Sequence, residues 1–202
     1  MTRCLLAVTV AGLLALAPVT ASAAPLDTTP LDTTGASQCR ARGYSTDTDP
    51  TGTNVRSAPR ADAPVIGRLA PRTLLGPGTY EGVEFEVVGS KDGWLLIQKP
   101  DPKSGLKLDA ANAAEGRGWI SGRLVGAVPG NRSLRAAPRR EAPVVADLSG
   151  PNGGPDSFLV STVHACDGRY LEVTGTWGGK PLRGWSFSPC SNQLSTCDGA
   201  SD

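Results

Sequence analysis

The 202-residue sequence predicts an all-β protein built from two small five-stranded units in tandem. Three observations carry that expectation. The segment NVRSAPRADAPVIGRL (54–69) recurs as SLRAAPRREAPVVADL (133–148), which sets Val55 over Leu134, Arg56 over Arg135, Pro59 over Pro138, Pro64 over Pro143 and Leu69 over Leu148. Each copy is followed by an alternating apolar stretch, an Asp-Gly turn, a second stretch and a Gly-Trp pair. Glycine (25) and proline (17) are abundant, which favours short strands and turns over long helices. With only two copies, 79 positions apart (54 to 133), the pattern is a domain duplication and not a solenoid.

Residues 1–23 read as a secretory signal peptide. Arg3 precedes the apolar run LLAVTVAGLLALA (5–17), and Ala21-Ser22-Ala23 supplies small residues for cleavage. The run is shorter than the roughly 20 apolar residues that a membrane-spanning helix needs. Cys4 stands before it, whereas a lipoprotein carries its cysteine just after. Residues 24–52 read as a spacer, largely irregular. Here LDTTP is followed at once by LDTTG, and no apolar period appears before about residue 50.

The first unit spans 53–126. Within FEVVGSKDGWLLI (85–97), Phe85 and Val87 share a face, as a period of two requires. Lys91-Asp92-Gly93 has tight-turn chemistry. An insertion near 98–117 follows; LKLDAANAAEGR (106–117) is the one stretch that could be a short helix. The connection GAVPG (126–130) is short enough that the units should touch. The second unit spans 131–197, with its turn at Cys166-Asp167-Gly168, and 198–202 form a tail. Four cysteines follow the leader: Cys39, Cys166, Cys190 and Cys197. An even number in an exported chain implies two disulfides, with three possible pairings.

The stretches NVRSAP, PVIGRL, VVGSKDGWLLI and GRGWIS resemble the bacterial SH3 (SH3b) domain family. That family's pattern starts N-V-R-S-x-P, then x-V-I-G-x-L, and continues through G-W and G-W-V. The second unit diverges, with Leu134 for the valine and Tyr170 for a tryptophan, but it keeps Gly184-Trp185. The resemblance implies two SH3-type barrels with a long loop after the first strand. It also implies a cell-wall or protein-binding role, without fixing one ligand. The 98–117 insertion and the three late cysteines depart from the family and point to a specialised subgroup. Family turn placement brings Cys190 towards the strand end that holds Cys166, which favours Cys166–Cys190 and leaves Cys39–Cys197. Trp94, Trp119, Tyr170 and Trp185 are the large side chains available to fill two cores, at about 2–3 kcal/mol each.

The chemistry-bearing residues are few. Removing Arg3 with the leader leaves 19 Lys plus Arg against 19 Asp plus Glu, a formal charge of zero. That argues against nucleic acid, whose phosphates demand cations, and against a polybasic membrane anchor once the signal is cleaved. His164 and Cys166 stand two apart on one expected strand and so on one face, the only Cys/His arrangement in the chain; a disulfide cysteine beside an incidental histidine is the simpler reading. One histidine and scattered acids do not make a metal site. No catalytic residue and no cofactor is expected, so the chain reads as a non-enzyme. Arg56 and Arg135 either bond loop carbonyls, or a turn acid such as Asp62 or Glu141, or recognise ligand carboxylates.

Trp177 sits in TGTWGGKPLRG, expected to be a glycine-rich hairpin loop. With Lys180 and Arg183 it forms the expected ligand-binding set: a flat aromatic face beside two cations. The expected function is an exported, periplasmic or extracellular, non-catalytic binding module for cell-wall peptide or an envelope protein. The alternative is a structural or inhibitory partner domain in an envelope assembly.

Overall fold

The computed structural model describes residues 29–98, 106–108, 116–151, 153–194 and 197. The expected signal peptide, the start of the spacer, most of the 98–117 insertion and the tail lie outside them. The fold is all-β. Among the described residues the only helical turns are two three-residue 3-10 helices, Gly122–Leu124 and Pro155–Ser157.

The strands of the first half are β1 (Ala41–Ser45), β2 (Thr53–Arg56), β3 (Val65–Leu69), β4 (Thr73–Gly76), β5 (Thr79–Glu81), β6 (Glu84–Lys91), β7 (Trp94–Gln98), β8 (Leu106–Leu108), β9 (Arg117–Ser121) and β10 (Val125–Gly126). Those of the second half are β11 (Ser133–Arg135), β12 (Val144–Asp147), β13 (Leu159–Asp167), β14 (Tyr170–Trp177) and β15 (Lys180–Phe187). The first sheet runs β10-β1-β6-β7-β9-β2-β3-β8, the second β12-β11-β15-β14-β13, and β4-β5 is a separate hairpin. Among the described residues every strand pairing is antiparallel and neither sheet closes on itself.

The sequence duplication is a duplication of topology. The order β6-β7-β9-β2-β3 in one sheet is matched by β13-β14-β15-β11-β12 in the other. The register agrees residue for residue. Val55 faces Gly67 and Arg56 faces Val65 across a bulge; Leu134 faces Ala146 and Arg135 faces Val144 across the same bulge. Arg56 pairs with Trp119, and Arg135 with Trp185.

Three expectations change. Part of the 24–52 spacer is built into the sheet: Ala41 to Tyr44 pair with Val87 to Glu84, and Tyr44 and Ser45 pair with β10. The short strand has a burial alternation of its own, with Ala41, Gly43 and Ser45 buried, but its 5 residues are too few to stand out from a polar surround. Leu106–Leu108, expected at the start of a possible short helix, is instead an edge strand on β3. The cores are also more aliphatic than expected: of Trp94, Trp119, Tyr170 and Trp185, only Trp119 is fully buried. Val55, Leu69, Val87, Leu95, Ile97 and Ile120 fill the first unit, and Leu134, Leu148, Val163 and Leu171 the second, all at 0% exposure. Strand alternation puts Trp94 and Trp119 on the opposite face from Leu95, Ile97 and Ile120, and Tyr170 and Trp185 opposite Leu171 and Val173.

The halves share one apolar cluster, and β13 lies against β6, β7, β10 and the Gly122–Leu124 turn. Gly122 is required there, because a Cβ would run into the Val163 carbonyl. Ser90 Oγ accepts from the Cys166 amide at 2.8 Å, and Ser37 Oγ donates to the Cys166 carbonyl at 2.8 Å. The end of the chain folds back: Val128 and Cys190 exchange both backbone hydrogen bonds, and the Gln193 amide bonds both backbone groups of Gly82.

Two disulfides are present, with a pairing other than the favoured one. Cys39 joins Cys166, Cα atoms 5.8 Å apart, and Cys190 joins Cys197 at 6.1 Å. Arg40 N–H donates to the Gly168 carbonyl and Gly168 N–H to Gln38, so the stretch around Cys39 lies along the β13–β14 turn beside Cys166. Cys190 is held at Val128 instead, and its partner Cys197 follows only 7 positions later.

Candidate binding surface

The duplicated segment builds the same proline-rich loop twice. Ser57 N–H donates to the Pro64 carbonyl at 3.0 Å, and Ala136 N–H to Pro143 at 2.9 Å. Arg60 N–H donates to Ala58, and Arg139 N–H to Ala137, both at 2.8 Å. Arg56 Nη1 donates to the Ala63 carbonyl at 2.7 Å, and Arg135 Nη1 to Ala142 at 3.0 Å. Each arginine therefore clasps a carbonyl further along its own loop and holds that loop to the end of its strand, the first of the two roles expected for it. Arg60 forms an exposed ion pair with Asp62 at 3.1 Å.

The two loops border outer faces that differ in what lies on them. On the first unit, residues 31–37 run across the face as a strap. Asp32 N–H donates to the Ser57 carbonyl at 2.8 Å, and Trp119 Nε1 donates to the Asp32 carbonyl at 2.8 Å. One residue of the strap is thus gripped through both backbone groups. Leu31 packs against the apolar cluster, and Lys91 Nζ donates to the Thr34 carbonyl at 2.7 Å. Gly35 turns the strap at φ 72°, and Ser37 N–H continues onto the Ser90 carbonyl. Beneath the strap Trp119 is 0% exposed, and Ser57 and Ala58 are 3% exposed. The Asp32 carboxylate accepts from the Thr34 amide at 2.9 Å, and the Thr34 bonds hold its pKa below the ordinary 3.8, with Lys91 and Arg60 adding to the effect.

On the second unit the counterparts of Ser57, Ala58 and Trp119 are Ala136, Ala137 and Trp185. Ala136 is exposed, and Ala137 and Trp185 are half-buried. Among the described residues no backbone N–H donates to the Ala136 carbonyl, and Trp185 Nε1 has no hydrogen-bond partner. The same face carries Tyr170 and Phe187, ring centroids 5.0 Å apart, with the Arg169 guanidinium 4.6 Å over Phe187. This aromatic face was missed in the sequence because Trp185 was counted as core.

The residues expected to bind ligand are divided by the sheet. Trp177 ends β14 and is half-buried against the apolar cluster, so it is not in an exposed loop; its Nε1 is buried without a partner. The hairpin turn is Gly178-Gly179, both at positive φ. Lys180 is exposed opposite Trp177, on the same face. Arg183 stands opposite Thr174, three positions from Trp177 along β14, and so on the other face. There it is paired with Glu172, Nε to Oε1 at 3.0 Å. Trp177 and Arg183 therefore do not form one platform.

His164 and Cys166 also part. A bulge between Val163 and Ala165 makes His164 the extra residue of β13, so Cys166 faces the core opposite Leu171. His164 Nε2 sits 2.8 Å from Thr174 Oγ1 on the outer face, and burial lowers its pKa. The Cys166 sulfur is committed to Cys39.

A cleft of roughly 570 Å³ lies between the halves, lined among others by Tyr44, Arg72, Tyr80, Asp156, Leu159 and Leu194. Arg72 stacks 4.7 Å from the Tyr80 ring centre. Beside it the β4–β5 hairpin presents Leu74 at 59% exposure, Leu75 at 47% and Tyr80 at 47%. Compared with known protein families, curated proteins and solved structures, the chain matches none.

Proposed function

We propose that the protein is an exported, non-catalytic binding module made of two SH3-type barrels, and that it binds an extended peptide of the cell wall or of an envelope protein on the Trp185 face. One observation carries this reading: the twin face holds an extended segment through a backbone carbonyl and an indole N–H, and the same two groups on the second unit have no hydrogen-bond partner among the described residues. The shared strand order and the bulge after the N-V-R or S-L-R triplet support SH3-type units. Two disulfides support an oxidising, extracytoplasmic setting.

An aromatic contact of this sort contributes about 0.5–1.5 kcal/mol, and each neutral hydrogen bond about 0.5–1.5 kcal/mol. The resulting affinity is weak for a single site. The test is sedimentation of the mature protein with purified wall sacculi, and capture of envelope proteins on it, each with the parent and with Trp185→Ala. Loss of one interaction in the variant names the ligand source. Binding that survives Trp185→Ala but is lost in Trp177→Ala sinks this placement. The structural-partner reading is favoured by a different feature, the apolar β4–β5 hairpin with its exposed Leu74, Leu75 and Tyr80.

A further inference from the structure

The chain carries two copies of the groove and two copies of the pentad that fills it. The second pentad, LDTTG at 31–35, lies on the first unit, where Leu31 packs into the apolar cluster and Asp32 is gripped by Ser57 and Trp119. The first pentad, LDTTP at 26–30, has the same Leu-Asp-Thr-Thr order; its residues 26–28 lie outside the described structure. The second unit repeats the grip with the Ala136 carbonyl and Trp185 Nε1, and keeps Arg139 where the first has Arg60. We propose that the Trp185 face binds the 26–30 pentad of a second copy of this chain. The proposal rests on the reading of that face as a peptide site and names its occupant.

The differences between the two grooves are consistent with an arm from elsewhere. Gly35 makes its turn at φ 72°. Pro30 holds the same place in the first pentad, and its ring locks φ at a negative value, so it cannot make that turn. Lys91, which holds the Thr34 carbonyl, is replaced at the same hairpin position by Asp167. Recognition on the second unit is therefore concentrated on the Leu-Asp-Thr part. Cleavage after Ala23 would place this pentad close to a free N-terminus, where it can reach a neighbour. Donor and acceptor are different surfaces, so the contact is head-to-tail.

The experiment is analytical ultracentrifugation of the mature chain, alone and as Leu26→Asp and Trp185→Ala variants. Leu26→Asp removes the donor and leaves the groove; Trp185→Ala removes the groove and leaves the donor. The parent should associate reversibly, each variant alone should associate at least tenfold more weakly, and their mixture should recover a one-to-one heterodimer. The heptapeptide Ala-Pro-Leu-Asp-Thr-Thr-Pro should dissociate the parent and alter tryptophan fluorescence in Leu26→Asp but not in Trp185→Ala. Because residue 26 belongs to none of the strands given above, Leu26→Asp keeps the test valid if Trp185→Ala fails to fold. A parent that stays monomeric, or association undiminished in Leu26→Asp, overturns the proposal. If the parent is monomeric and Leu26→Asp lowers its melting temperature, the pentad acts within its own chain and the second copy is ruled out. A monomeric parent that ignores the heptapeptide yet loses sacculi or envelope binding through Trp185→Ala refutes this occupant and keeps the peptide site.

Discussion

In the first unit Trp119 is sealed beneath residues 31–37; in the second its counterpart Trp185 is half-buried, and its indole N–H has no hydrogen-bond partner among the described residues. The backbone around them is the same: one bulge, one arginine clasp, one strand order. The difference separates two kinds of information. The loop and its clasp are encoded within one short segment, because their hydrogen bonds span at most 7 positions. The burial of the outer face is encoded elsewhere: Asp32 of the strap lies 87 positions before the tryptophan it covers. A duplicated fold can thus keep its architecture while one copy loses or gains a covering segment.

The largest test of that difference is the bond that holds the strap's far end. Cys39–Cys166 has a sequence separation of 127, against 7 for Cys190–Cys197. Loop-closure entropy gives about 5 kcal/mol for the long loop and about 2.5 kcal/mol for the short one. Paired serine replacement at Cys39 and Cys166 should therefore lower unfolding free energy by roughly twice as much as replacement at Cys190 and Cys197. Urea denaturation under oxidising conditions measures both. Equal losses would mean that the strap is held by its hydrogen bonds and not by the disulfide.

Next in size is the tryptophan pair itself. Trp119→Ala leaves a cavity under the strap and should cost about 3–5 kcal/mol. Trp185→Ala removes a half-buried ring and should cost about 1 kcal/mol. Thermal or chemical melts of the two variants give the contrast directly. A large loss for Trp185→Ala would show that its face is packed against something, which removes the basis for a binding surface there.

How much of this was legible follows from the same division. Val55, Arg56 and Leu69 over Leu134, Arg135 and Leu148 gave the duplication, and the loops built from them match. The Asp-Gly turn at Asp92-Gly93 is the turn that joins β6 to β7, with both residues at positive φ. The strap was not legible as structure. Its residues show no period because they bond through Asp32 backbone groups rather than by alternating burial, and the repeated pentad reads as part of an irregular spacer. The aromatic residues were legible in part. A Gly-Trp pair reads as core, and Trp119 is fully buried, though on the outward face beneath the strap. Gly118 and Gly184 occupy the inward positions, and the outward Trp185 is only half-buried. Trp177 misled in reverse: flanking glycines suggested exposure, but Trp177 continues the inward row of Leu171, Val173 and Gly175.

A smaller effect tests whether the clasp is equivalent in both units. Arg56→Met and Arg135→Met should each cost about 1.5–3 kcal/mol, the worth of a hydrogen bond to a charged group. The two clasps bond different carbonyls, Ala63 and Ala142, so the double variant should lose the sum to within about 0.5 kcal/mol. A double-mutant cycle by urea titration reads the coupling. A clear shortfall from additivity would mean that the two loops communicate through the shared apolar cluster.

The smallest effect is the titration of the outer faces, and it should order them in acid. Burial is the first cause that holds His164 below its ordinary 6.5; Arg183 lowers it further, and Glu172 partly offsets this. A depressed folded pKa means that the unfolded chain takes its proton first as the pH falls. The contribution is complete above the ordinary value and is lost as the pH drops from there through the folded value. Asp32 on the first unit is depressed from 3.8, so its contribution is complete above that value and fades only below it. The second unit's face should therefore loosen before the strap does. Imidazole NMR shifts followed against pH should give a midpoint under 6.5, raised in Arg183→Gln and lowered in Glu172→Gln. The amide protection factor at Asp32 should hold steady through that window and fall only in stronger acid. A His164 midpoint at or above 6.5 would mean that the imidazole is solvated, with Thr174 no longer its partner, and the bulge that turns it away from Cys166 would then be open as well.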